Sequence, residues 1–334
     1  MSEQLVDELQ RFESCRLPRG TGGYRWSRHY QGESHGFHVV FGSMVHGDEV
    51  GSLPAVNRLL DLLERREVTF GGRVTVFVGN PEAGLAGQRF LERDLNRVFL
   101  DLDDDAHEIG RSRELRPLLD DADLFVDFHQ TILATQQPFW ICPWTHAAAA
   151  WARAAGGAEV WITRSPAQAF SPGTCCADEY VRLKGRPALT LELGEKGFDV
   201  AAEKRALRVM LRILELADAV ASGRSLAELA GAQPPVSCMV TRHRERFAEA
   251  TYALAEGWTN FAPVNAGMTM HAPGTPALVA PMDGFVVFPK YPPRSTDGTY
   301  KQPLPGEIYR IVCPLDGDPR ALWGESPEAG APVV

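Results

Sequence analysis

The tetrapeptide His46-Gly47-Asp48-Glu49 sets an imidazole and a carboxylate three residues apart, a spacing that lets both converge on one cation from a single turn of chain. Alone, the pair has two readings: half of a metal site, or a solvated helix start whose acidic residues favour the helix dipole. His129 closes the apolar run DLFVDFH and adds a third ligand. Two His and one Glu with an open fourth position form a catalytic zinc set, able to lower the pKa of bound water to about 7. Asp127, on the same strand face as His129, is suited to orient that imidazole, or simply to bond loop amides in the interior. Hydrolysis also needs a proton carrier. Glu192 stands in the run PALTLELG, where a carboxylate is costly unless used or paired, and where desolvation raises its pKa toward that of a general base. Glu195, beyond Gly194, competes for the role, although a loop Glu is more often solvated. The segment GQRFLERDLNRVF (87–99) crowds together Arg89, Arg93, Asp94, Asn96 and Arg97. Arginine forks hold carboxylates bidentately; a salt-bridged surface segment is the plainer account of Arg93.

These residues need a scaffold that brings distant stretches to one edge. Runs 36–43, 73–81, 123–129, 138–143, 158–163 and 187–194 are β-branched, aromatic or near-continuously apolar and end in Gly, Asn, Pro or His, which predicts buried strands. Between them, Val50, Leu53, Val56, Leu59, Leu60 and Leu63 keep helical spacing directly after the first strand, and 146–156 and 201–223 read as further helices. Strand–helix alternation predicts an α/β fold with a mostly parallel or mixed sheet flanked by helices. In open sheets of this kind ligands bind at the carboxyl ends of the strands, where His46, Glu49 and His129 fall. After GAQPPV (231–236) the character changes to turn-rich sequence without a convincing helix. The expected division is a catalytic α/β domain over 1–229 and a smaller all-β domain over 230–334.

The 334 residues are 44% apolar and 23% charged, a balance that excludes disorder over most of the length. With 34 Lys and Arg against 43 Asp and Glu the net charge is −9. That disfavours nucleic acid or an anionic lipid surface as a partner but leaves room for a local cationic pocket. No apolar run approaches the roughly 18 to 20 residues of a membrane span, and the acidic N-terminal stretch is unlike a signal peptide, so a cytoplasmic location is expected. The six cysteines show no CxxC pair and are expected to be reduced thiols. Homo-oligomerisation is left open.

In this order and at these intervals the motifs resemble the succinylglutamate desuccinylase/aspartoacylase family of zinc carboxypeptidase-like hydrolases. His46-Gly47-Asp48-Glu49 is similar to its HGNE-type motif, NPEAGLAGQRFLERDLNRVF to its NP…R…DLNR segment, Asp127-Phe128-His129 to its DLH motif, and Thr190–Gly194 to its catalytic-glutamate strand. VTRHRERFAEATYALAEGWTNFAPVNAGMTM and FVVFP resemble the desuccinylase branch more than the aspartoacylase branch. The resemblance implies one Zn²⁺ per chain on His46, Glu49 and His129, with Glu192 as general base and then acid. Arg89 would polarise the scissile carbonyl, and Asn96 with Arg97 would hold a substrate carboxylate. Arg182, ten residues before Glu192, stands where the aspartoacylase branch has a second carboxylate-binding Arg; Tyr291 and Tyr300 both qualify as the family's β-domain tyrosine. Asp48 replaces the family's usual Asn, and HQTILATQQPF departs from its HTAI-type sequence. The implied activity is zinc-dependent hydrolysis of a small anionic N-acyl amino acid under a capping β domain. N-succinylglutamate is the first candidate, giving succinate and glutamate at the end of bacterial arginine catabolism. Another N-acyl amino acid such as N-acetylaspartate, or small peptides cut by a metallocarboxypeptidase, are the alternatives.

Overall fold

Two runs that are buried along their whole length, HVVFGS and LFVDFHQT, need cover on both faces and therefore occupy the middle of the sheet. The computed structural model describes residues 2–20, 23–100, 102–165, 167, 169–231, 236–247, 251–292 and 305–319. Its elements begin with α1 (Glu3–Ser14), β1 (Ser27–Gln31), β2 (His38–Ser43), α2 (Leu53–Glu64), β3 (Arg73–Val78), α3 (Pro81–Leu85), α4 (His107–Leu119) and β4 (Leu124–Thr131). There follow β5 (Phe139–Ile141), α5 (His146–Ala155), β6 (Val160–Thr163), α6 (Ala177–Arg182), β7 (Ala188–Glu195), α7 (Val200–Ala221) and α8 (Leu226–Ala230). The chain then runs through β8 (Ser237–Glu245), β9 (Ala262–Val264), β10 (Gly284–Val287) and β11 (Tyr309–Pro314). No helix among the described residues is long and apolar enough to cross a membrane.

All eleven strands form one mixed sheet in the order β1-β3-β2-β4-β7-β5-β6-β8-β11-β10-β9. The centre, β3-β2-β4-β7, is parallel, as the buried runs predict. Two strands break the pattern: β1, whose polar sequence SRHYQ suits an edge, is antiparallel to β3, and β5 is antiparallel to β7. The helix expected from Val50 begins at Leu53, leaving 44–52 as a separate turn. From β8 onward the described residues contain no helix of two or more residues, and Leu254, Met270, Leu278, Val286, Ile308 and Ile311 form an apolar cluster of their own. β8 nevertheless pairs in parallel with β6, so the sheet passes without interruption into the β-rich part.

Candidate metal centre and active site

Strand register does the positioning. Parallel pairing sets Ser43, the last residue of β2, opposite Phe128, and His129 opposite Glu192 of β7. The turn 44–52 thereby starts at the same sheet edge as His129 and Glu192. Its sharp bend falls at Met44, with φ 52°. Gly47 is required for a different reason: a Cβ there would sit 2.3 Å from the backbone nitrogen of Gly84 in α3. A register shift between His129 and Thr131 leaves Gln130 as an extra residue, the usual device for re-aiming side chains at a strand end. Gln130 then ties the centre together: its N–H donates to Glu49 Oε2 (2.9 Å), its side-chain oxygen accepts from Gly51 N (2.7 Å), and its side-chain nitrogen donates to the Glu195 carbonyl (2.7 Å).

His46, Glu49 and His129 are all buried, and their candidate ligand atoms lie within 4.8 Å of one another. His129 Nε2 is 2.8 Å from Asp127 Oδ2, so its proton belongs there and the lone pair of Nδ1 faces inward. His46 Nε2 is likewise 3.0 Å from Asp94 Oδ1. Arg89 Nη2, which can only donate, approaches the same His46 nitrogen at 2.7 Å; a cation on Nδ1 would select the bond to Asp94. The inward groups are then all acceptors: the two Nδ1 atoms 3.1 Å apart, with Glu49 oxygens 2.8 Å from each. Without a proton or a cation between them, such a cluster repels itself in a buried setting. Two imidazoles, one carboxylate and an open side match a catalytic zinc set, so the residues present fit the metal. Burial alone would raise the pKa of Glu49, but His46, His129 and Arg89 hold it well below the usual carboxylate range. Burial would lower that of His129, yet Asp127 and Glu49 raise it well above an ordinary histidine.

Glu192 lies beside this cluster and outside it. Burial first, and the charge of Glu49 second, push its pKa up to about 8. Its Oε2 is buried without a hydrogen-bond partner, an uncommon state for a carboxylate and one that keeps it available. Glu195 is exposed.

Arg89 lies in the loop after α3 and donates to Glu49 Oε1 at 2.6 Å, with 27% of its side chain exposed toward solvent. That loop hangs on a residue the sequence hides. Glu108, fully buried near the start of α4, accepts from the backbone N–H groups of Leu91, Glu92 and Arg93 at 2.7–3.1 Å and from Asn80 Nδ2 at 3.0 Å. In LDLDDDAHE it reads as one more acid of a solvated stretch. Glu108→Ala leaves those donors unmatched and is expected to cost about 2–3 kcal/mol of stability, read as a lowered urea midpoint, with kcat reduced through misplacement of Arg89.

Asn96 and Arg97 form a 3-10 turn, Leu95–Arg97, capped by the Asp94 side chain on Asn96 N. Asn96 Oδ1 accepts from Ala177 N (2.8 Å), which turns Nδ2 toward His129 Nε2, 3.4 Å away. Arg97 donates to the Asn96 carbonyl and stacks on Phe170, its guanidinium carbon 4.5 Å from the ring centre. Arg182 ends α6 half-buried; no hydrogen bond or ion pair among the described residues joins it to the metal cluster. The Tyr291 hydroxyl donates to the Ala255 carbonyl and accepts from Trp258 N, away from the cluster's contacts, and Tyr300 lies outside the described residues. Asp48 forms an ion pair with Lys196 at 2.6 Å.

The model of the succinylglutamate desuccinylase/aspartoacylase catalytic domain matches residues 38–217. A succinylglutamate desuccinylase of Pseudomonas paraeruginosa is 29% identical over 283 residues, 79% of this chain and 82% of that one. One of Pseudomonas fluorescens is 29% identical over 49% of this chain, which spans about half (52%) of its length. The crystal structure of succinylglutamate desuccinylase from Vibrio cholerae shares the fold, with TM-score 0.67, 18% identity and coverage of 93% of this chain and 94% of that one. A match that takes in β2, β4 and β7 with every residue of the cluster, together with this likeness of fold, makes the chain a hydrolase of the deacylase type that belongs to the succinylglutamate desuccinylase/aspartoacylase family, on its desuccinylase side.

Proposed function

We propose that this chain is a zinc-dependent amidohydrolase that cleaves N-succinylglutamate to succinate and glutamate, with one Zn²⁺ held by His46, Glu49 and His129. The observation that carries the reading is the buried cluster of inward acceptors with an unbonded carboxyl group, Glu192, at its side. A zinc ion held there supplies Lewis-acid polarisation and makes water nucleophilic near neutral pH. Glu192 takes the proton of the attacking water and hands it to the leaving amine nitrogen. Arg89 donates to the carbonyl oxygen as negative charge develops on it. Asn96 Nδ2 and Arg97 hold a substrate carboxylate and fix the amide against Glu192; Arg182 is a weaker candidate for the same task. Residues 230–334 are read as a domain capping the site and restricting it to small substrates. A cytoplasmic place at the end of arginine catabolism follows from this reading. Metal analysis of the purified protein, combined with a hydrolysis screen over N-succinyl, N-acetyl and N-formyl amino acids, tests it. Turnover of neutral peptides but of no anionic N-acyl amino acid would sink it.

The titrating groups predict how metal and proton compete. In metal-free protein the raised pKa of His129 gives stability that is complete below about 6.5 and lost as pH rises through the raised value. Glu192, raised from an ordinary 4.5 to about 8, likewise contributes least above 8. Both slopes have one sign, and Glu49, already ionised, is flat across this window. The chelated protein is therefore expected to lose stability between about pH 5 and 8. The rise in Tm on adding zinc should be larger at pH 8 than at pH 6; equal rises at both would contradict the assignment.

A further inference from the structure

A second concentration of positive charge lies where the α/β part meets the β-rich strands. A cavity of about 160 Å³ is lined by Thr163, Arg164, Phe170, Arg242, Arg244 and Arg310, among others. Register creates it: Arg242 and Arg244, two apart on β8, share a face, and Arg244 stands directly opposite Arg310 of β11. Like charges facing each other across a strand pair are destabilising, so the arrangement needs counter-charge. Part of it is present. Glu307 holds Arg310 Nε at 2.8 and 3.0 Å, and Glu179 holds Arg164 Nη2 at 2.6 Å. Two carboxylates against four guanidinium groups leave an excess of two positive charges around a cavity in which Arg164 and Arg310 are buried. Arg244 makes only a 3.4 Å contact with the Phe170 carbonyl, and no acidic group among the described residues lies within ion-pair distance of Arg242 or Arg244.

The cavity adjoins the active site through Phe170. The guanidinium carbons of Arg310 and Arg97 lie 4.4 and 4.5 Å from the centre of that one ring, and Arg97 follows Asn96, which reaches His129. Burial, Arg244 and Arg97 together lower the pKa of Arg310 against the opposing pull of Glu307, so the three guanidinium groups share one field.

We propose that this cavity is a second carboxylate subsite, in which Arg242, Arg244 and Arg310 bind an anionic group of the substrate other than the one held by Asn96 and Arg97. The substrate class is then an N-acyl amino acid with a carboxylate on each side of the scissile amide. The inference rests on the proposed function and narrows it.

The test compares wild type with the double variant Arg242→Gln/Arg244→Gln on three substrates. These are N-succinylglutamate, N-butyrylglutamate (a methyl replaces the acyl carboxylate) and N-succinylnorvaline (a methyl replaces the side-chain carboxylate). In wild type, the truncation that empties the cavity is expected to cost about 100-fold in kcat/KM. In the double variant that same truncation should cost under about 3-fold, while the other costs what it costs wild type. Both truncations costing the variant as much as wild type overturns the proposal, provided its Tm is unchanged; if the variant is unstable, Arg244→Lys, which keeps the charge and loses the fork, replaces it. If wild type hydrolyses none of the three, the functional reading has failed. The subsite is then judged by titrating succinate and inorganic phosphate into chelator-treated protein. Succinate binding that the double variant loses supports a carboxylate subsite, and binding that is absent, unchanged or equally strong for phosphate rejects it.

Discussion

Glu192→Gln is expected to lower kcat by about 10²- to 10⁴-fold while the protein keeps one zinc per chain and its KM. The expectation follows from what Glu192 does and does not touch. It is absent from the His46–Glu49–His129 group, and its Oε2 has no hydrogen-bond partner to lose. An amide has the same shape but cannot take up a proton, so the substitution removes proton transfer alone. It also removes a buried acid that is hard to ionise beside Glu49. The metal-free variant should accordingly be as stable as wild type at pH 6 and more stable at pH 8, the reverse of what loss of a structural contact produces. Zinc content, thermal denaturation at the two pH values and steady-state kinetics decide it. Zinc lost together with activity would make Glu192 a part of the binding site and leave the proton carrier unassigned.

Much of this centre was legible because its residues are chemically out of place where they stand. A Glu inside PALTLELG and an Asp and a His inside DLFVDFH are costly in strands that must be buried, and the strands are buried as the runs predict. What is carried by tertiary register was not legible. Nothing near Arg310 announces that it will face Arg244 across β11 and β8, and the pairing of two cations contradicts local expectation. Glu108 was hidden by its company, since its burial depends on a loop that folds back over α4 to meet it. Gly47 was legible as necessary but for the wrong cause: the spacing suggested a tight bend, whereas the constraint is the approach of α3. Polar β1 gave no period-2 signal because only one of its sides pairs with the sheet.

Arg89→Ala should cost about 10²- to 10³-fold in kcat, with KM changed little and zinc bound at least as tightly. Arg89 touches the metal cluster at two points, Glu49 at 2.6 Å and His46 at 2.7 Å, and carries an ion pair to Asp94 at 3.6 Å. A cation in that place competes electrostatically with a metal for the same donors, so removing it cannot weaken metal binding through charge. Its partial exposure, in contrast to the buried ligands, leaves the guanidinium able to leave Glu49 and meet an oxygen on which charge is developing. Removal therefore acts on the transition state and spares ground-state binding, which is a loss in kcat. Arg89→Lys keeps the charge but not the fork and should recover only part of the loss; added guanidinium should rescue the Ala variant and not the Lys one. A fall in zinc affinity in Arg89→Ala, with activity restored by excess zinc, would assign Arg89 to holding Glu49 and His46 in place instead.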